Sequence, residues 1–253
     1  KGSLLWVLDK TRTAMGKRLL RSWLEKPLLS IPRINLRQNA IEELSLNAVL
    51  LGELRENLSG VKDIERTMTK VVYGSVKPRE LKLLAETAAY FPPIKELLRD
   101  ANCKLLKEIY EGIDPLNEIR ELIQNAIHEN PKLTVKEGGI IKDGYNAELD
   151  RIRALMQGSA RILTEIEARE KERTGIKNLK VKYNKVFGYY IEVTNSFLDK
   201  VPEDYVRKQT LTGGERFITD ELKEIEREML SAKDRVESLE YELFDEVRKA
   251  TAK

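Results

Sequence analysis

Leu222, Ile225, Met229, Ala232, Val236, Leu239 and Leu243 alternate spacings of three and four without a miss, which keeps one apolar seam along a helix and turns it toward a partner. Leu149, Ile152, Met156, Ser159, Leu163 and Ile166 repeat the spacing upstream, with one polar lapse at Ser159. Each seam needs a neighbour. The simplest neighbour is the other seam, antiparallel, because the chain must go out and come back. Residues 147–173 make roughly 40 Å of helix, and the helix from Thr219 onward runs to about 50 Å at about 1.5 Å per residue. Gly175 supplies the stop of the first arm. Thr219-Asp220-Glu221-Leu222 reopens a helix, with Thr219 as N-cap and acids in the first turn.

Before the arms the apolar positions predict a series of shorter helices. Residues 14–25 place Met15, Leu19, Leu20 and Trp23 on one face and end before Pro27; residues 32–50 turn Ile34, Ala40, Ile41 and Leu44 inward; residues 61–72 form a third helix. Pro78 fits the first turn of a helix carrying Leu81, Leu84, Ala85 and Ala88, which Pro92-Pro93 stops. Further helices are expected at 94–98 and 115–128, and 133–141, broken by Gly138-Gly139, reads as a turn or short extended piece. Trp6 and Trp23 read as core or interface residues. No internal repeat or low-complexity linker interrupts the chain.

Between the arms the pattern changes. Val, Tyr, Phe and Ile cluster over 179–193, Pro202 interrupts, and Phe217-Ile218 leads into the return arm, which predicts a small, partly antiparallel sheet. The expected fold is therefore mostly α: a helical core over 1–145, an outgoing lever helix over 146–175, a β-rich tip over 176–218 and a return lever helix over 219–253, the levers pairing as an antiparallel coiled coil.

Charge concentrates at that tip. Residues 176–218 hold six Lys and two Arg against five acids, an excess equal to the net charge of +3 of the whole chain. Lys177, Lys180, Lys182 and Lys185 occur before the first acid, Glu192, and Lys180 and Lys182 share one strand face because side chains alternate with period two. A one-sided lysine row beside Asn184 suits phosphate oxygens, which need cationic and N–H donors. The same lysines suit protection of an exposed sheet edge. The residues alone do not separate the two readings. Tyr183, Phe187, Tyr189 and Tyr190 read as core of the small sheet before they read as base-stacking platforms.

Composition narrows the function by exclusion. With 253 residues the chain is long enough for a real core, and 41% hydrophobic with 34% charged residues fits a helix-rich soluble protein. No apolar run approaches the roughly 18 residues that span a bilayer, the amino end is no signal peptide, and the first residue is Lys1, so the chain reads as an excised segment. The single cysteine, Cys103, excludes an internal disulfide and suits a reducing compartment. His128, the single histidine, excludes multi-histidine metal sites and reads as a helix-end side chain. Glu165, Glu167, Glu170 and Glu172 read as a solvated helix face. There is no G-x-x-x-x-G-K-[ST] phosphate loop and no G-x-G-x-x-G, and Gly138-Gly139 and Gly213-Gly214 read as turns. The residues show no active site and call for no cofactor of their own.

Several runs carry a resemblance: Ser3-Leu4-Leu5-Trp6-Val7-Leu8-Asp9-Lys10-Thr11 with Thr13-Ala14-Met15-Gly16-Lys17-Arg18-Leu19-Leu20, Trp23-Leu24-Glu25-Lys26-Pro27-Leu28, Gly144-Tyr145, Arg173-Thr174-Gly175-Ile176, Lys208-Gln209-Thr210-Leu211, and above all Tyr183-Asn184-Lys185-Val186-Phe187-Gly188-Tyr189-Tyr190-Ile191-Glu192-Val193-Thr194. In this order they resemble the core (lever) and clamp domains of the MutS family of DNA mismatch-repair proteins, over nearly the whole chain. The resemblance implies a non-catalytic fragment of a bacterial, cytoplasmic, nucleoid-associated protein. In the full-length protein it implies a homodimer enclosing duplex DNA, a MutL partner, and levers coupled to an ATPase domain that uses ATP and Mg. That domain would follow Lys253, and the mismatch-reading and connector domains would precede Lys1. No membrane is implied. Carried over residue by residue, the nucleic-acid-binding candidates are Lys180, Lys182, Asn184 and Lys185 around the first tip loop, and Thr212, Gly213 and Arg216 around a second. There the run Thr212-Gly213-Gly214-Glu215-Arg216 departs from the family's usual Lys-Asn-Ala-Glu-Arg, so the second loop lacks the usual lysine and ranks below the first. The alternative function is a structural lever and dimer scaffold with negligible DNA affinity of its own.

Overall fold

The structure is a computed structural model that describes residues 2–134, 138–184, 186 and 188–253, without the side chains of Ser159 and Ala160. The fold is mostly α with one small antiparallel sheet. Lys185 and Phe187, and the side chain of the seam position Ser159, lie outside the described residues. The described chain divides into two compact units, Lys1–Tyr145 with Tyr241–Lys253, and Asn146–Glu240.

The first unit packs short helices, α1 (Leu4–Leu8), α2 (Ala14–Glu25), α3 (Ile31–Leu46), α4 (Ala48–Gly60), α5 (Ile64–Val72), α6 (Pro78–Ala88), α7 (Phe91–Leu97), α8 (Lys104–Gly112) and α9 (Asn117–Ala126). Ala40, Leu54, Val61, Ile94, Leu98, Ala101 and Leu106 form a shared core, burying the apolar faces that no single short helix could hide by itself. Three expectations change. The helix expected over 32–50 breaks at Asn47, which ends α3 and caps α4 by accepting a hydrogen bond from Leu50 N at 3.1 Å. Pro92-Pro93 opens α7 rather than stopping α6, because a missing N–H costs nothing in a first helical turn. An unexpected helix, α8, takes its N-terminal cap from far away: the Glu43 carboxylate accepts from Asn102 N and Cys103 N, both at 2.7 Å. Trp6 is exposed and Trp23 is partly exposed, with the Arg37 guanidinium 3.6 Å above its ring. His128 follows the end of α9 and accepts from Asn130 N at 3.1 Å.

The second unit holds the sheet and most of the arms. The outgoing arm is α10 (Ala147–Thr174) and the return arm α11 (Asp220–Thr251), 28 and 32 residues long. Asn146 caps α10 through Leu149 N, Gly175 closes it at φ 70°, and Thr219 Oγ1 accepts from Leu222 N at 3.3 Å to open α11. Ion pairs Glu148–Arg235, Arg153–Glu240 and Arg169–Glu221 join the two helices in antiparallel order. Leu149, Ile166, Leu222, Ile225 and Leu239 are buried, whereas Ile152, Met156, Leu163, Met229, Ala232 and Val236 are half-buried. The seam is therefore driest toward its ends.

The sheet follows: β1 (Lys180–Asn184), β2 (Gly188–Thr194), a 3-10 turn over Asn195–Lys200, β3 (Val206–Leu211) and β4 (Gly214–Ile218), ordered β1-β2-β4-β3 and antiparallel throughout. Ile191 and Val193 of β2 and Phe217 of β4 point to one face and join Ile166, Ile176, Leu179, Tyr205, Leu222 and Ile225 in a dry core. That face packs on the arms and leaves the other for polar residues, as expected for a half-covered antiparallel sheet.

Candidate nucleic-acid interface

The outer face of the sheet is assembled by register. Lys180 lies opposite Glu192, Glu192 opposite Arg216, and Arg216 opposite Gln209, so one cross-sheet row carries four polar side chains on the same side. Lys182, opposite Tyr190, begins the neighbouring row. Within this patch Lys182 Nζ donates to Glu192 Oε1 at 2.6 Å, and Arg216 Nε stands 3.5 Å from Glu192 Oε2. Arg216 Nη1 donates to Gln209 Oε1 at 2.7 Å, and its guanidinium lies 4.5 Å from the ring centroid of buried Tyr190. The hydrogen bond from Lys182 holds the Glu192 carboxyl below its ordinary range. Lys182 and Arg216 thus flank a single carboxylate, with Lys180 opposite it in register and acting on Glu167 as well, and the three cations outnumber the one acid of the row.

The two candidate loops are not neighbours. Asn184 pairs with Gly188 at the end of the β1–β2 pair, with Gly188 at φ 74° in the left-handed region that favours glycine. Asn184 Oδ1 accepts from Val186 N at 2.7 Å, so this side chain builds the turn as well as bordering it. Val186 projects into solvent. Leu211 pairs with Gly214 across Thr212-Gly213, both exposed, and Asn195 N and Nδ2 donate to the carbonyls of Gly213 and Thr212. Because Thr194 pairs with Gly214, this second turn lies at the far end of β2 from Gly188, about 20 Å away along a seven-residue strand. The register brings Lys180, Lys182 and Arg216 together and leaves Thr212 and Gly213 at the opposite end.

Adjacent glycines in that second turn have different duties. A Cβ on Gly214 would lie 2.4 Å from the Val193 carbonyl oxygen, whereas nothing stands within 4 Å of one on Gly213. Gly214→Ala is expected to destabilise by about 1–3 kcal/mol through overpacking between β2 and β4. Gly213→Ala should stay within about 0.5 kcal/mol of the parent. Urea midpoints at constant m-value check the contrast, and equal shifts would show that close strand approach is not what Gly214 provides.

Of the four α10 acids expected on a solvated face, Glu165 and Glu172 are exposed, but Glu167 and Glu170 are not. Glu167 Oε2 accepts from Val181 N at 2.9 Å, covering an amide of edge strand β1. Glu170 is buried and accepts from Tyr205 Oη at 2.9 Å and from Arg173 Nε at 2.8 Å, while Arg173 Nη2 reaches Asp204 at 3.0 Å. Burial first, and then the Glu170 carboxylate, push the Tyr205 phenol above its usual range. These bonds fasten the sheet to the end of the outgoing arm. The tyrosines divide: Tyr190 is buried, Tyr189 is half-buried, and Tyr183 is 52% exposed with its ring 5.1 Å from that of Tyr189. Sequence reasoning missed Tyr190, Glu192 and Gln209 as organisers of Arg216; the signal was their period-two placement beside the lysine row.

Among the described residues no group of three or more His, Cys, Asp or Glu is placed to hold a metal ion, and no helix is long and apolar enough to cross a membrane. The family model for MutS domain III matches residues 1–253. The chain is 51% identical over 248 residues to the DNA mismatch repair protein MutS of Lachnoclostridium phytofermentans, covering 98% of this chain and 27% of that protein. It is 50% identical over 253 residues to that of Acetivibrio thermocellus, covering 100% and 29%, and 52% identical over 248 residues to that of Pelotomaculum thermopropionicum, covering 98% and 29%. The chain thus spans under a third of the relatives it matches, and over that span it belongs to the MutS family, as its domain III.

Proposed function

We propose that this chain is the DNA-holding and lever part of a MutS-type mismatch-repair protein, its sheet gripping the phosphate backbone of duplex DNA without reading sequence. The observation that carries the reading is the outer sheet face, where Lys180, Lys182 and Arg216 converge at the end of two long helices. Cations on a sheet face neutralise phosphates and make no base-edge pattern, so affinity is electrostatic and indifferent to sequence. The arms, fastened to the sheet through Glu167 and Glu170, would transmit its position to an ATPase domain elsewhere in the protein. By the same likeness the full-length protein would bind ATP and Mg, pair with a second subunit, work with MutL, and act on the nucleoid in the bacterial cytoplasm. The core, lever, tip and return-lever division at 145, 175 and 218 belongs to this reading.

The rival reading, a scaffold with negligible DNA affinity of its own, is favoured by one observation: Lys182 is already paired with Glu192. Duplex affinity of the 253-residue chain against salt separates the two. Neutralisation of about four phosphates predicts a slope of log affinity on log salt of roughly −3.6. Equal affinity is expected for matched and mismatched duplexes. A salt-independent signal would favour the scaffold, and a tenfold mismatch preference would sink the backbone-only reading.

A further inference from the structure

Glu192 occupies an unusual position for an acid on a surface proposed to hold a polyanion. It is the carboxylate at the centre of the patch, it accepts from Lys182, and it stands beside Arg216 without completing a hydrogen bond to the Nε–H. That Nε is buried and makes no hydrogen bond, although Arg216 itself is immobilised by Gln209 and the Tyr190 ring. A buried donor without an acceptor is costly, and a fixed guanidinium with an unused donor is shaped for an incoming oxygen. Lys182 is 42% exposed and Glu192 27%, so the cluster opens to solvent on the lysine side.

Resting on the function proposed above, we infer that Glu192 is a built-in stand-in for a phosphate: it holds Lys182 and Arg216 in place on the empty sheet and is displaced when a backbone phosphate arrives. The exchange is close to neutral in charge, because a carboxylate and a phosphodiester each carry about one negative charge. The incoming oxygen accepts from Lys182 Nζ and can meet Arg216 Nε, which the carboxylate leaves unsatisfied. Lys180, directly opposite Glu192 in register and exposed, is the partner to which the displaced carboxylate can turn. Such an arrangement prevents the two cations from repelling each other in the free protein and makes each bound phosphate compete with an internal anion. It therefore lowers duplex affinity and keeps the grip reversible.

The test compares Glu192→Gln with Glu203→Gln in the 253-residue chain. Both remove one negative charge from the β-rich region; Glu203 is exposed and outside the cluster. Binding of a short matched duplex is followed by fluorescence anisotropy from low to moderate salt, with far-UV circular dichroism reporting the fold. Glu192→Gln should bind about fivefold more tightly at low salt with the salt slope of the parent, because the same phosphate is held in both and only the competing internal anion is gone. Glu203→Gln should gain less than twofold. Adding Lys182→Met should shrink the Glu192→Gln gain toward that of Glu203→Gln. Equal gains in both single variants would reduce Glu192 to one diffuse surface charge and overturn the inference while leaving DNA binding intact. Weaker binding by Glu192→Gln would overturn it too, showing a positioning acid instead. Failure of parent and variants alike to bind duplex at low salt would remove the inference together with the function it rests on.

Discussion

A chain carrying Lys182→Glu and Lys185→Glu together is expected to lose duplex affinity by on the order of 30-fold at low salt, with its salt slope falling from roughly −3.6 to roughly −1.8. Each reversal removes a cation that neutralises a phosphate and sets a repelling charge in its place. The slope counts released counterions and should drop by about 0.9 per lost contact. The loss is electrostatic, so parent and variant curves should converge as salt rises. Lys182 is exposed and lies in β1, outside every helix, so helical circular dichroism should be unchanged. A local cost is expected all the same: Glu at 182 would face Glu192, which now accepts from the lysine, and like charges on adjacent strands destabilise by a few tenths of a kcal/mol to about 1 kcal/mol. Lys182→Met separates this effect, because it deletes the cation without placing two carboxylates together. If anisotropy titrations superimpose for parent and double variant at low salt, the lysines serve to shield the sheet edge and the scaffold reading gains.

What could be read from the sequence follows how local each determinant is. The return seam from Leu222 to Leu243, the stop at Gly175 and the cap at Thr219 depend on residues within a few positions of one another, and all three stand where spacing and cap chemistry put them. Helix α8 was invisible because its cap, Glu43, comes from about sixty positions upstream. Asn47 was hidden because the apolar period runs through it, and the same residue both ends α3 and begins α4. Glu167 and Glu170 look like any acids on a charged helix until the chain returns with Val181 and Tyr205 to meet them. In the candidate site, the shared face of Lys180 and Lys182 follows from period two. Its union with Arg216, and the separation of Thr212-Gly213 from Asn184, follow from the strand order β1-β2-β4-β3, which hairpin-level signals do not encode. The charge count shows the same limit: it registers Glu192 as an acid but not as the partner of Lys182.

Ile191→Ala is expected to destabilise the second unit by about 2–5 kcal/mol, the usual cost of truncating a fully buried aliphatic side chain. Ile191 is 0% exposed, pairs with Val181 on one side and Phe217 on the other, and belongs to the core that Ile166, Leu222 and Ile225 of the two arms complete. Strand neighbours and helix neighbours are held on three sides, so the cavity cannot close by the shift of a single element. Ile191→Val, which keeps the β-branched shape, should cost about 0.5–1.5 kcal/mol. Hydrogen exchange at the β2 and β4 amides reads the effect, since a less stable sheet opens more often, and urea unfolding gives its size. Unchanged protection in Ile191→Ala would mean that this core does not hold the sheet together. The variant also connects packing to binding. Ile191 faces the arms, while its chain neighbours Tyr190 and Glu192 face outward with Lys182 and Arg216, so the residue touches no candidate ligand group. The register that gathers those cations on one face is nevertheless the register its burial specifies, because a one-residue slip would turn Ile191 to solvent and Lys182 inward. Duplex affinity should therefore fall in Ile191→Ala in step with amide protection and recover partially in Ile191→Val, although no charge has been changed.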